Sequence, residues 1–281
     1  MTVAAHDLAQ LFDGLLNAQG KPERVGPFGI WTSVAPWPHP VRPIAGTRIT
    51  DKDLQLLVER LGALGVHPAI EWVIEEHPEL EALLLARGAE IDRAPTLALN
   101  ESAIGAAPSL PAGYVVLQQR PDDSDADLLV ARVVADLSFS NPGVGIGEVG
   151  ISKRDEMLGQ RLTTEAGRNY VDFVRARLLS GDLALFVING LEGTVAGAAV
   201  LSGAAGTEIA GVATLPAYRR QGLAAAITHA AVEYVRNNDK LPLAMSAADT
   251  DVARIYERNG FVRVATTGEA HLPDQTPSTA P

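Results

Sequence analysis

The chain has 281 residues, 47% of them hydrophobic and 20% charged, a composition that excludes wholesale disorder and suits one large domain or two lobes with real cores. Its net charge of -11 repels nucleic acid and anionic membranes, and its lack of cysteine excludes disulfides, thiolate metal sites and a cysteine acyl-enzyme. No apolar run approaches the roughly 18 residues of a membrane span, no basic and apolar leader opens the chain, and the six His lack metal-ligand spacing, so the expectation is a cytoplasmic protein without a metal.

Leu8, Leu11, Phe12, Leu15 and Leu16 recur at helical spacing and predict a helix over 6–18, ended by Gly20, Lys21 and Pro22. Residues 24–33 read as a strand around Phe28, Ile30 and Trp31. Pro36, Pro38, Pro40 and Pro43 make the next stretch, with Trp37, a loop or extended edge, since each Pro lacks a ladder donor. Thr50 or Asp51 caps a helix through Leu54, Leu57, Val58 and Leu61 that stops near Gly62 and Gly65. A strand over 69–74, a helix over 78–86 and a strand over 91–99 follow.

The low-charge stretch 101–112, with Gly105, Pro108 and Pro111, reads as a linker between a lobe over 1–100 and a domain over 113–270. The second part opens with a strand over 114–119, an amphipathic helix over 125–137 and a Gly-rich loop over 139–150. A helix over 163–179 leads to strands over 183–189 and 195–201, joined by a turn at Asn189-Gly190 and Gly193, and to a third over 208–214. That strand passes through Leu215-Pro216 into a helix from about 221 to 236, then a strand over 241–247, a helix over 251–258 and a strand over 261–266. The Pro/Ser/Thr-rich end, 271–281, is expected to be disordered. This order predicts an α/β (mixed α+β) fold.

The most informative segment ends a strand at Thr214, turns through Arg219-Arg220-Gln221-Gly222, and begins a helix at Leu223-Ala224. Backbone N–H groups at a helix start point outward and the helix dipole adds to them, which makes a cradle for an anion such as a pyrophosphate. Gly222 lets that backbone approach a ligand without a Cβ, and Arg219 and Arg220 bring positive charge to the rim.

Here the sequence resembles the GCN5-related N-acetyltransferase (GNAT) superfamily. Arg219-x-x-Gly222-x-Ala224 matches its (Gln/Arg)-x-x-Gly-x-(Gly/Ala) loop. Further on, Ala253, Tyr256, Gly260 and Phe261 are similar to its A-x-x-x-Y-x-x-x-G-F closing helix and strand, with the Ala one position nearer the Tyr. The resemblance implies a mixed sheet flanked by helices, an acetyl-CoA cosubstrate, an amine-bearing acceptor, and direct N-acetyl transfer in a ternary complex. It implies that Arg219, Arg220, Gln221, Gly222, Leu223 and Ala224 hold the pyrophosphate while Val212, Ala213 and Thr214 lie along the pantetheine arm. It also implies that backbone groups of Val212 and Thr214 polarise the thioester and orient the amine. No nucleic-acid or membrane partner is expected.

Two side chains fit the proton transfers. Tyr256 matches the tyrosine that donates to the CoA sulfur; alternatively it is a packing residue. Glu208, eleven residues before Arg219, is the candidate base for the amine, because a carboxylate near an apolar strand has its pKa raised; alternatively it is a solvated residue at a strand start. Asp249, where many relatives have an Asn, reads as a helix cap. Gly145-x-Gly147-x-x-Gly150 matches a dinucleotide-binding pattern, but no buried strand precedes it and no apolar helix follows, so that reading is rejected. Within the same loop, Phe139 and Glu148 are candidate acceptor contacts. His229 reads as an ordinary helix residue, and Trp31, Trp37 and Trp72 as core.

The strand–helix–Gly–strand order of residues 71–99 loosely repeats that of 253–264, so the first lobe resembles a degenerate copy of the same fold, or is an unrelated α/β cap. It lacks the phosphate-loop pattern and is not expected to bind CoA. Two rival functions stay open: a non-catalytic acyl-CoA sensor or partner-binding module, and an acetyltransferase whose acceptor is a protein lysine or N-terminus.

Overall fold

A computed structural model describes residues 4–31, 39–66 and 69–272. The first lobe holds α1 (Ala5–Asn17), β1 (Glu23–Val25), β2 (Phe28–Ile30), β3 (Arg42–Pro43), α2 (Asp51–Leu64), β4 (Ile70–Val73), α3 (Pro78–Leu85) and β5 (Glu90–Leu99). Then come β6 (Val115–Gln118), α4 (Asp125–Phe139), α5 (Ile151–Leu162), α6 (Glu165–Ser180), β7 (Leu183–Gly190), β8 (Gly193–Gly203) and β9 (Gly206–Thr214). The last elements are α7 (Leu223–Asn237), β10 (Leu243–Ser246), α8 (Thr250–Glu257) and β11 (Phe261–His271).

Local chemistry accounts for most boundaries. Thr50 and Asp53 form a reciprocal capping box at the start of α2, and Gly65 ends it in the left-handed region. Ser124 and Thr164 cap α4 and α6 by accepting from backbone N–H groups three residues on.

An eight-stranded mixed sheet runs in the order β4-β11-β5-β10-β9-β8-β7-β6, and β1, β2 and β3 form a small separate sheet. Strand β5 of the first lobe lies between β10 and β11, antiparallel to both. A buried hydrogen bond of 2.6 Å between the Thr96 and Thr267 hydroxyls fastens that seam. From β5 the chain must cross to β6 at the far edge of the sheet. The segment between them passes the turn at Gly260, where an added Cβ would lie 3.1 Å from Ala103, and then Gly222, with Ser109 O at 4.0 Å from the Cβ position.

Helices α1, α4 and α6 cover one face of strands β7 to β9, and α7 covers the other. The main core lies along these strands, with Leu128, Val133, Ile188, Val200, Ile227 and Val232 among its fully buried members. Phe28, Leu54, Leu57, Trp72, Leu80 and Leu84 form a second core within the first lobe. Helix α1 sits directly on the β8–β9 hairpin: a Cβ on Gly203 would come within 2.8 Å of the Gly14 backbone.

Three expectations are corrected. The strand expected over 24–33 is the hairpin β1–β2, which turns at Gly26 (φ 55) with Val25 opposite Phe28. Helix α5 was not anticipated, because its buried residue is Arg154, whose guanidinium donates to the carbonyls of Thr194 (2.6 Å) and Glu192 (3.1 Å). Ile151, Leu158 and Leu162 lie on the same face as Arg154 and pack against the core only in part, so the apolar stripe is interrupted at its most buried position. The final strand continues to His271 instead of stopping near 266, because it pairs with both β4 and β5. Trp31 and Trp72 are buried in the core, whereas Trp37 and residues 273–281 lie outside the described residues. No helix among the described residues is long and apolar enough to cross a membrane.

Candidate functional site

The site is built on β9. Its pairing with β8 shifts register between Gly197 opposite Ala213 and Ala199 opposite Ala210, so β9 carries an extra residue there. Gly211 (φ 63) takes the positive φ that such a bulge favours. On its other side β9 pairs with parallel β10 at only two positions, Thr207 opposite Leu243 and Glu208 opposite Ala244. Beyond Glu208 the two strands part, and among the described residues no strand pairs with this side of β9 from Ile209 to Thr214. Val212, Ala213 and Thr214 lie in that stretch. The Thr214 carbonyl accepts from the Ser138 hydroxyl at 2.7 Å, which ties the end of β9 to the end of α4.

A short 3-10 turn, Pro216–Tyr218, leads from β9 to the start of α7. Arg220 (φ 65) and Gly222 (φ 78) both adopt positive φ, which turns successive peptide units so that their N–H groups face one way. The backbone N–H groups of Arg220, Gln221, Gly222, Leu223 and Ala224 donate to no described residue. Arg220, Gln221 and Gly222 are exposed, and Leu223 is buried beneath them. The five groups and the α7 dipole form an open cradle for an anion.

The two arginines of the loop part company. Arg220 is exposed, with no described hydrogen-bond partner. The Arg219 guanidinium turns to the loop after α4 and donates to the carbonyls of Ser138 (3.1 Å), Asn141 (2.6 Å) and Gly145 (3.4 Å). Burial lowers its pKa. The 145–150 glycine pattern is spent in the same packing. Gly147 N donates to Pro216 O and Ala217 N to Val149 O, both at 3.0 Å, so the rejected dinucleotide motif serves to brace the turn before α7.

Helix α8 packs against α7, β5 and β11 and is capped by Asp249, whose carboxylate accepts from Val252 N at 2.8 Å. Tyr256 points into the core and is 5% exposed. Burial, and secondarily the Asp249 charge, push its phenol far above the usual range, so it holds its proton at neutral pH and can only donate or accept as the neutral form.

Glu208 opens onto a cavity of about 320 Å³ on the opposite face from α7. The cavity is lined by α1 and strands β3 and β4 of the first lobe together with α4, α6 and β7 to β9. Its walls are largely apolar, with Leu15, Leu16, Phe139, Phe173, Leu185 and Leu201 among them. No described residue hydrogen-bonds the Glu208 carboxyl. Burial pushes it up to about 7, against the lowering effect of Arg42 and with a further rise from Glu71. Arg42 and Glu71 form an ion pair on the cavity wall, and the Arg42 guanidinium lies 4.8 Å from the centre of the Phe12 ring.

Phe139 therefore lines the same cavity as Glu208, whereas Glu148 lies beside the start of α5 and does not. Arg42 and Glu71 were missed in the sequence. They belong to no motif; β4 reaches this wall through the large sheet, and β3 through the parallel bridge between Val41 and Ile70.

Residues 155–261 match the sequence model of the Acetyltransferase (GNAT) family. No curated protein matches the chain. Among solved structures, a GCN5-related N-acetyltransferase from Kribbella flavida is 21% identical, with a TM-score of 0.67 over 96% of this chain and 95% of that one. A GCN5-related N-acetyltransferase-like protein from Streptococcus suis gives 15% and 0.53 over 95% and 97%. A tandem GNAT protein from the clavulanic acid biosynthesis pathway gives 13% and 0.53 over 96% and 97%.

Proposed function

We propose that this chain, which has the GNAT fold and carries that family's domain at residues 155–261, is an N-acetyltransferase that moves an acetyl group from acetyl-CoA directly to a small amine. The observation that carries this reading is the content of one strand. At one end β9 holds Glu208 on the wall of a largely apolar cavity; at the other it leads into five unpartnered N–H groups; between them it leaves one edge open beside a bulge. The cradle suits a pyrophosphate, and the open edge suits an extended amide-bearing arm that pairs as a strand does. The cosubstrate supplies the acetyl group as a thioester.

In this reading the N–H groups of Arg220 through Ala224 hold the pyrophosphate, while Val212, Ala213 and Thr214 line the arm. Arg219 acts indirectly, by fixing the loop after α4 against the turn. Glu208 removes the proton that an ammonium must lose before its nitrogen can attack, and a carboxyl pushed up to about 7 suits that task near neutral pH. Tyr256, matched to the family's tyrosine, stands as a neutral hydrogen-bond donor to the departing sulfur; its raised pKa favours such a bond over full transfer of its proton. The absence of cysteine agrees with transfer in one step without an acyl-enzyme. The cavity's volume of about 320 Å³ suits a small acceptor, and the carboxyl poised on its wall supports a catalyst over a sensor.

The test is release of CoA thiol from acetyl-CoA with a panel of small amines, using the wild type, Tyr256→Phe and Glu208→Gln. Amine-dependent release that falls about a hundredfold or more in either variant supports the assignment. Binding of acetyl-CoA without turnover by any amine overturns it in favour of a sensor.

A further inference from the structure

The charges around the cavity are unequal in their availability. Three arginines line it, and each is engaged: Arg42 with Glu71, Arg132 with Asp136 at 3.0 Å, and Arg177 with Asp182 at 3.1 Å. Of the two carboxylates on the wall, Glu71 is the partner of Arg42, and Glu208 has no hydrogen bond or ion pair among the described residues. A guest carboxylate would find one unpartnered donor, the Arg42 Nε, on a guanidinium whose charge Glu71 already balances. It would meet a His39 whose pKa is lowered by burial and by the nearby Arg177 and Arg42, and it would also lie close to Glu208. A guest that brought an ammonium would find Glu208 waiting.

Shape and polarity narrow the guest further. An apolar cavity of about 150 Å³ holds a benzene molecule, and this one is about 320 Å³. Its walls are mainly aliphatic and aromatic, contributed from one side by Leu15 and Leu16 of α1 and from the other by Phe173 of α6 and Leu185 of β7. The first lobe thus supplies part of the wall on which recognition depends.

Resting on the acetyl-transfer reading above, we infer that the acceptor is a hydrophobic primary amine with no acid group of its own. It carries a ring or branched chain on a short arm, and it lies between α1, α4, α6 and β7–β9 with its nitrogen at Glu208. The acidic carboxyl and the apolar wall select the two ends of the same molecule.

Phenethylamine, phenylalanine and ethylamine serve as probes, with kcat/KM measured by thiol release. The expected order places phenethylamine about a hundredfold above phenylalanine, which adds only a carboxylate, and at least about tenfold above ethylamine, which lacks the ring. Ala135→Phe, on the α4 wall, fills the space for the ring, so the ratio of phenethylamine to ethylamine falls at least about tenfold. Leu16→Ala enlarges the space and shifts preference from phenethylamine towards 4-phenylbutylamine, a gain that a merely damaged fold does not produce. Phenylalanine equal to or better than phenethylamine, or a ranking that neither variant moves, overturns the inference. If acetyl-CoA binds but no amine turns over, the acetyl-transfer reading fails by itself, and calorimetry with phenethylamine decides the rest. Binding that Ala135→Phe weakens at least about tenfold retains the ligand class; no binding removes it.

Discussion

A carboxyl held at about 7 inside a protein costs stability whenever it is ionised, and Glu208→Gln exposes that cost. Glu208 titrates near 4.5 in an unfolded chain and at about 7 in the folded one. Between these values the folded state keeps a proton that the unfolded state has released, so stability falls as pH rises through this window and levels off above it. The difference of about 2.5 units, at about 1.4 kcal/mol each, gives a penalty of about 3 kcal/mol near pH 8. Glutamine has nearly the same shape and no charge, so the variant should escape the penalty. Denaturant unfolding of both proteins at about pH 5 and about pH 8 measures it. The variant should gain on the wild type by about 2 kcal/mol more at the higher pH, while losing acetyl transfer. A stability difference that does not change with pH would refute the claim that burial holds this group protonated.

Other perturbations test neighbouring parts of the account. The acetyl-transfer rate of the wild type at saturating acetyl-CoA should rise with pH through about 7 as Glu208 becomes a carboxylate, a limb that a pH–rate profile of Glu208→Gln should lack. Arg219→Ala removes three hydrogen bonds to the 138–145 loop and should cost about 2 kcal/mol in a denaturant melt; an unchanged midpoint would free that arginine for the ligand. Gly268→Ala sets a Cβ 2.7 Å from the buried Trp72 ring and should cost about 1–3 kcal/mol by the same assay, testing the seam where β11 meets β4.

What could be read in the sequence follows from how local the cause is. The β9–turn–α7 unit was legible because Pro216, Gly222 and the helix that starts at Leu223 act within a few residues of one another. Glu208 was legible by its spacing from Arg219, but not its surroundings. Its cavity depends on α1, Arg42 and Glu71, which reach it only after β4 and β5 join the large sheet. That joining left no local mark, since the partners of β5 lie far along the chain at β10 and β11. Helix α5 was hard to read because its most buried side chain is a guanidinium satisfied by carbonyls, which breaks the stripe of Ile151, Leu158 and Leu162. The hydrogen bonds of Arg219 to the 138–145 loop were not legible, because that loop was read only as glycine-rich.

The most direct test of the central claim is calorimetry with acetyl-CoA on the wild type, Gly222→Ala and Gly222→Glu. Position 222 has φ 78, so the alanine variant measures the backbone strain alone, and the glutamate variant adds a negative charge to the cradle. The account predicts micromolar binding by the wild type, modest weakening in Gly222→Ala and none detectable in Gly222→Glu. A wild type that does not bind acetyl-CoA, or a Gly222→Glu variant that binds it as tightly as Gly222→Ala, would contradict the account.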